Sequence, residues 1–80
     1  LWAAATRSGS AWPGAQLGLT PREGEVLAHL VKGFDNRAIG HALYITEDTV
    51  KSHVKAIFRK LGVRDRGQAI AIALREGLVP

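Results

Sequence analysis

Four helix-start signals, each followed by apolar residues at helical spacing, leave this chain little choice of fold between Leu19 and Gly77. Thr20-Pro21-Arg22-Glu23 is a capping box with proline at the first helical position. The threonine hydroxyl and the glutamate carboxylate can satisfy each other's free backbone N–H groups. Val26, Leu27, Leu30 and Val31 follow on one helical face, and Gly33 supplies a stop, which predicts a helix near 21–32. Asp35 caps a short helix near 36–43 with Ile39 and Leu43 facing inward. Thr46 caps a third helix near 47–61, which Gly62 ends. Its apolar positions Val50, Val54, Ile57, Phe58 and Leu61 fall within a stripe about 100° wide, as for a helix packed on one side. Asp65 and Gln68 form a fourth cap, opening a helix near 66–76 that Gly77 closes. Strand alternation and internal repeats are absent from the pattern. The expected fold class is all-α, with four helices and short connections.

Between the second and third helices stand only Tyr44-Ile45-Thr46. So short a link suits two helices crossing at a large angle, the helix-turn-helix arrangement. Such a unit lays its second helix in the DNA major groove while the first crosses the backbone. The outer face of the third helix fits this use. Opposite its apolar stripe lie Asp48, Ser52, Lys55 and Arg59, with Lys51 and Ala56 at the borders. Ser52 and Ala56 are small enough to let the helix axis approach the base edges. Lysine donates to guanine O6 and N7, and serine donates or accepts. Thr49, His53 and Lys60 flank the other side, toward groove walls that present phosphates. Glu47 and Asp48 suit the positive end of the helix dipole and are read as stabilising the first turn.

The charge distribution points the same way. The chain carries a net charge of +4, and residues 51–66 alone contribute +5, from Lys51, Lys55, Arg59, Lys60, Arg64 and Arg66 against Asp65. A polyanion-binding element concentrates charge in this manner, although a solvated helix face can also be basic. Surface helices usually interleave Glu with Lys. Here no acid falls between Asp48 and Asp65.

Four blocks of residues resemble a known family. They are Leu19-Thr20-Pro21-Arg22-Glu23, Gly33-Phe34-Asp35-Asn36-Arg37-Ala38-Ile39, Ile45-Thr46-Glu47-Asp48-Thr49-Val50-Lys51-Ser52-His53-Val54 and Lys60-Leu61-Gly62-Val63-Arg64-Asp65-Arg66. In this order they resemble the LuxR-type helix-turn-helix domain, above all the output domains of NarL/FixJ response regulators, over about residues 18–79. The resemblance implies a four-helix LuxR/GerE-like fold in the C-terminal effector domain of a bacterial transcription regulator. It implies double-stranded DNA as partner, binding as a dimer, and a bacterial cytoplasmic setting, with RNA polymerase as a further candidate partner. The positions matching Lys51, Ser52 and Lys55 are then base contacts. Those matching Asn36, Arg37, Thr46, Thr49 and Lys60 are backbone contacts, to which the outer face adds His53 and Arg59. A phosphorylated receiver domain is the implied regulator, with autoinducer control or no such control left open.

The last helix carries a second expectation. Ile70, Ala73 and Leu74 are read as facing inward, and Ile72 as facing outward beside Gln68 and Arg75, with Ala69 and Ala71 flanking. An exposed isoleucine among small residues suits an isologous contact, so Ala69, Ile72 and Arg75 are the expected dimer interface. Single surface apolar residues are also ordinary. Three positions depart from the family's habits. Tyr44 stands where a small residue is common, and a positive φ there would carry strain of about 1 kcal/mol. Gly24 and Gly40 sit inside helices, each costing roughly 1 kcal/mol against alanine, unless Gly40 permits a close helix contact.

Other functions fit less well. His29, His41 and His53 lie twelve residues apart on three helices, without a carboxylate pair or the H-x-x-x-H spacing of a metal site. Glycine-rich phosphate loops are missing too, so an enzyme, a metal site or a cofactor is not expected. Zero cysteines exclude disulfides and thiolate zinc. No apolar run reaches the roughly 20 residues of a membrane span. A sigma-factor promoter-binding domain would share Thr49-Val50-Lys51 but not the fourth helix. A basic protein-interaction module is the rival of a different class, and weak salt dependence would mark it. Residues 1–18, rich in Ala, Gly and Ser, read as a linker or the remnant of a preceding domain, with residues 19–80 as the DNA-binding domain. Trp2 and Trp12 could dock on that domain or belong to a neighbour. The first residue, Leu1, suggests a fragment of something longer.

Overall fold

The computed structural model describes Trp12 and residues 14–78. Most of the expected linker, including Trp2, lies outside them. A single 3-10 turn, Ala15–Leu17, precedes four α-helices. These are α1 (Pro21–Val31), α2 (Asn36–Leu43), α3 (Glu47–Leu61) and α4 (Arg66–Arg75). Among the described residues there is no strand.

The caps act as the residue types dictate. Thr20 and Glu23 form both halves of the capping box: Thr20 N–H donates to Glu23 Oε1 at 2.9 Å, and Glu23 N–H donates to Thr20 Oγ1 at 3.2 Å. Asp35 Oδ1 accepts from Ala38 N–H at 2.8 Å, Thr46 Oγ1 from Thr49 N–H at 3.1 Å, and Asp65 Oδ1 from Gln68 N–H at 2.8 Å. Each removes one of the unpaired donors that open a helix. Gln68 also turns back, its Oε1 accepting from Arg64 N–H at 2.8 Å.

Packing follows the apolar stripes for three helices. Val26, Leu27 and Leu30 of α1, Ile39 of α2, and Val50, Val54 and Ile57 of α3 are buried together, with Leu19 and Leu78 closing the ends. Each fully buried aliphatic side chain of this kind stabilises the fold by about 1.5–3 kcal/mol. α3 is the central element, packed against α1 and crossed by α2.

The crossing of α2 and α3 depends on one missing side chain. A Cβ at Gly40 would lie 2.8 Å from the Ile45 carbonyl oxygen and 3.6 Å from the Glu47 nitrogen. Gly40 therefore serves the close approach, and its helix-propensity cost is offset by a tight turn. Tyr44 ends α2 in the left-handed region, at φ 59° and ψ 42°. It is the one non-glycine with positive φ among the described residues.

The last helix corrects the sequence reading. Its inward line is Ala69 and Ala73, both 0% exposed, while Leu74 is 63% exposed. Ile72, expected outside, is half-buried and packed against the core, and Ile70 is half-buried. Two alanines four apart let α4 settle closely on α1, and bulk at those positions would hold it away. The expectation that the larger Leu74 turns inward fails for that reason. Ala69, expected at a dimer interface, is enclosed within its own chain and has no surface to offer a partner.

The end of the expected linker is tied to Leu19, just ahead of α1. Trp12 Nε1–H donates to the Leu19 carbonyl at 2.6 Å. Leu19 N–H in turn donates to the Gly14 carbonyl at 3.1 Å.

Candidate nucleic-acid interface

α3 presents its polar face because its apolar face is anchored. With Val50, Val54 and Ile57 in the core, Lys51, Ser52, Lys55 and Arg59 are exposed on the opposite side, and His53 is half-buried at the edge. Lys51 and Lys55 are one turn apart and share an edge, with Ser52 beside them. Lys51, Lys55 and Arg59 have no ion pair among the described residues, where the three pairs are Arg22–Glu25, Lys60–Glu23 and Arg75–Glu76. Their charge is therefore uncompensated at the surface. Glu47 and Asp48 are exposed in the first turn of α3, at the positive end of its dipole.

The backbone-contact expectations divide. Thr46 and Thr49 are exposed and hydrogen-bonded to each other, Oγ1 to Oγ1 at 2.8 Å. That bond uses one of their two hydroxyl protons and leaves the other for an outside acceptor. Arg37 is exposed on α2. Asn36 is half-buried at the start of α2, where its Oδ1 accepts from Arg66 Nη2. Arg66 Nη1 also donates to the Phe34 carbonyl at 3.3 Å. This guanidinium, counted in the basic stretch of the sequence, thus ties the start of α4 to the start of α2. Asn36 keeps its Nδ2 donors for an external acceptor.

Lys60, unlike the other cations of α3, has an ion-pair partner among the described residues. Its Nζ lies 2.7 Å from Glu23 Oε1, with the side chains 28% and 8% exposed. This ammonium is paired with a buried carboxylate of its own protein, so part of its charge is compensated within the chain. Nothing in the local sequence signals this pairing, because the partner is 37 residues away. Burial pushes the Glu23 carboxyl up. The hydrogen bonds from Lys60 and from Thr20 N–H, with the charge of Lys60, outweigh it and hold the carboxyl below the usual carboxylate range.

Beside the turn, a cleft of about 400 Å³ is lined by Arg37, Gly40, His41, Tyr44, Ile45 and Glu47. Tyr44 is 95% exposed. On α4, Arg75 is exposed and lies 3.4 Å from Glu76, and the exposed large apolar residue of that helix is Leu74 rather than Ile72. The alternation of apolar residues along α4 hid this from the sequence. His29 is held by its fold, its Nδ1–H donating to the Glu25 carbonyl at 2.7 Å and its ring meeting Phe34 edge-on at 5.1 Å. Among the described residues no group of three His, Cys, Asp or Glu side chains could hold a metal. No described helix is long and apolar enough to cross a membrane.

With this geometry in hand, comparison with known proteins is direct. The chain is 53% identical over 66 residues to the transcriptional regulatory protein LnrK of Bacillus subtilis (strain 168), covering 82% of this chain and 30% of that protein. It is 51% identical over 61 residues to the transcriptional regulatory protein DegU of Brevibacillus brevis, covering 76% and 26%. It is 46% identical over 61 residues to the response regulator protein VraR of Staphylococcus aureus (strain Mu3 / ATCC 700698), covering 76% and 29%. The chain thus spans less than a third of the length of these relatives. A solved structure titled "Structure of Transcription factor, GerE" superposes with a TM-score of 0.71 at 40% identity, covering 78% of this chain and 92% of that one. The family model for bacterial regulatory proteins of the luxR family matches residues 17–73, from the 3-10 turn through all of α1, α2 and α3 and most of α4. On the helix order, the tight turn at Gly40 and these matches together, the chain belongs to the luxR family of bacterial regulatory proteins.

Proposed function

We infer that this chain is the DNA-binding effector domain of a bacterial transcription regulator, reading double-stranded DNA with α3 in the major groove. Its relatives are regulators rather than enzymes, and the uncompensated cations on the outer face of α3 carry the reading for this chain. Lys51, Ser52 and Lys55 are the base readers, since they share the exposed edge that a groove would receive. Arg37, Asn36, Thr46, Thr49, His53 and Arg59 hold the sugar–phosphate backbone on either side. The DNA-binding unit is residues 19–80, preceded by a connector whose last residues dock on it.

The regulator acts as a homodimer on two half-sites. Exposed Leu74, with exposed Arg75 next to it on α4, supports this reading. An exposed leucine on a terminal helix is suited to an isologous seat against its own symmetry mate. The whole protein works in the bacterial cytoplasm, where a receiver domain controls it and RNA polymerase is its partner at promoters.

Selection of bound duplexes from a random pool tests the reading. The expected outcome is an enriched motif in two related halves, with log affinity falling against log salt at about −0.9 per phosphate contacted. A pool that emerges unenriched, or binding indifferent to salt, rejects it.

A further inference from the structure

Tyr44 combines a left-handed backbone with an almost fully exposed aromatic ring. Its backbone is left-handed, at φ 59°, where any side chain is disfavoured relative to glycine. Its ring is 95% exposed, so the side chain adds almost nothing to packing within the chain. The left-handed turn closes the helix, with the N–H groups of Tyr44 and Ile45 both donating to the Gly40 carbonyl, but that closure makes no use of an exposed phenol, whose role lies outside the fold.

Its position names the role. Tyr44 is the C-cap of α2 and stands two residues before Thr46, the N-cap of α3. Half-buried Ile45 holds the turn to the core between them. Recognition helices enter the major groove with their N-terminal residues foremost. The turn just ahead of such a helix therefore sits at the lip of the groove, where the sugar–phosphate backbone runs. Arg37 and His41, four residues apart, share one face of α2, and with Tyr44 at its end they line the same cleft. They offer a guanidinium, an imidazole and a phenol, each able to donate to a phosphate oxygen. Glu47 is the one acid lining that cleft.

We propose that the Tyr44 hydroxyl donates to a DNA phosphate at the lip of the groove, with Arg37 supplying the positive charge of the same contact. This extends the DNA-binding reading above and rests on it. The strain at Tyr44 then serves to aim the phenol outward.

The test titrates the chain against a labelled duplex taken from the selection and a scrambled duplex of equal length, by fluorescence anisotropy at several salt concentrations. Tyr44→Phe removes only the hydroxyl and is expected to lose about fivefold to tenfold in affinity for both duplexes. Tyr44→Gly is expected to lose at least as much, with a melting temperature no lower than that of the unsubstituted chain. Arg37→Gln is expected to flatten the salt slope by about 0.9, and Tyr44→Phe to leave that slope unchanged. Failure of the unsubstituted chain to bind either duplex rejects DNA binding itself. Firm binding that both Tyr44 variants retain overturns this proposal alone. A loss confined to the selected duplex also overturns it, by assigning Tyr44 to a base. Unchanged DNA affinity with lost capture of purified RNA polymerase on the same duplex overturns it in favour of a protein contact.

Discussion

Lys51, Lys55 and Lys60 belong to one basic stretch, yet their ammonium groups meet different surroundings. Lys51 and Lys55 face solvent without a counter-charge among the described residues, and Lys60 faces Glu23 at 2.7 Å. The three should separate cleanly in experiment. Lys51→Ala and Lys55→Ala are each expected to cost about 1–3 kcal/mol at particular base pairs and to relax discrimination there. Equal losses on cognate and scrambled duplexes would reject their reading role. Lys60→Ala is expected to leave the salt slope of DNA binding unchanged. It should lower folding stability by about 1–3 kcal/mol, measured by urea titration, because a buried carboxylate loses a partner. A salt slope flattened by Lys60→Ala would show that the residue contacts phosphate as well.

At the scale of single elements, boundaries were legible in the sequence and orientations only in part. Helix starts rest on Thr20, Asp35, Thr46 and Asp65, whose side chains act within three residues of themselves, and so local reading finds them. The helices end at Val31, Leu43, Leu61 and Arg75, within a residue of expectation. α4 resisted because Ala69 to Leu74 is apolar at every position, so no period distinguishes an inner face. The choice was made by the surface of α1 that receives it. Gly40 is the reverse case: its possible role in a close contact was legible, and only the crossing shows which atoms approach. Gly40→Ala forces a Cβ to within 2.8 Å of the Ile45 carbonyl oxygen, where backbone must give way. The expected loss is about 1–3 kcal/mol, against the gain in helix propensity that an open site would show. A thermal melt showing Gly40→Ala as stable as the unsubstituted chain would contradict the close approach.

The whole molecule adds two long-range relations that no local pattern contained, the Glu23–Lys60 pair and the Arg66 bridge to Phe34 and Asn36. The first makes stability depend on pH. Glu23 has a lowered pKa in the fold, so its contribution is fully present above the unfolded carboxylate range. It is lost as pH falls through the lower folded value. Glu23→Gln should therefore flatten the acid limb of a stability–pH curve, and an unchanged limb would show that other carboxylates govern it. Assembly belongs to this scale too. Leu74→Asp is expected to weaken binding to a two-half-site duplex by about tenfold while sparing a single half-site, since paired contacts multiply when tethered. Equal effects on the two duplexes would assign α4 no role between copies.

One oxygen atom links distant parts of the chain. Glu23 Oε1 accepts from Thr20 N–H, at the first turn of α1, and from Lys60 Nζ, at the last turn of α3. Opening either end is expected to disturb the other, which makes the Thr20 amide a reporter of how α3 is seated. A ligand that steadies α3 should slow hydrogen exchange at Thr20, on an element that never touches DNA in the proposed complex. The capping box that marks the helix start in the sequence thereby becomes a listening post for the reading face.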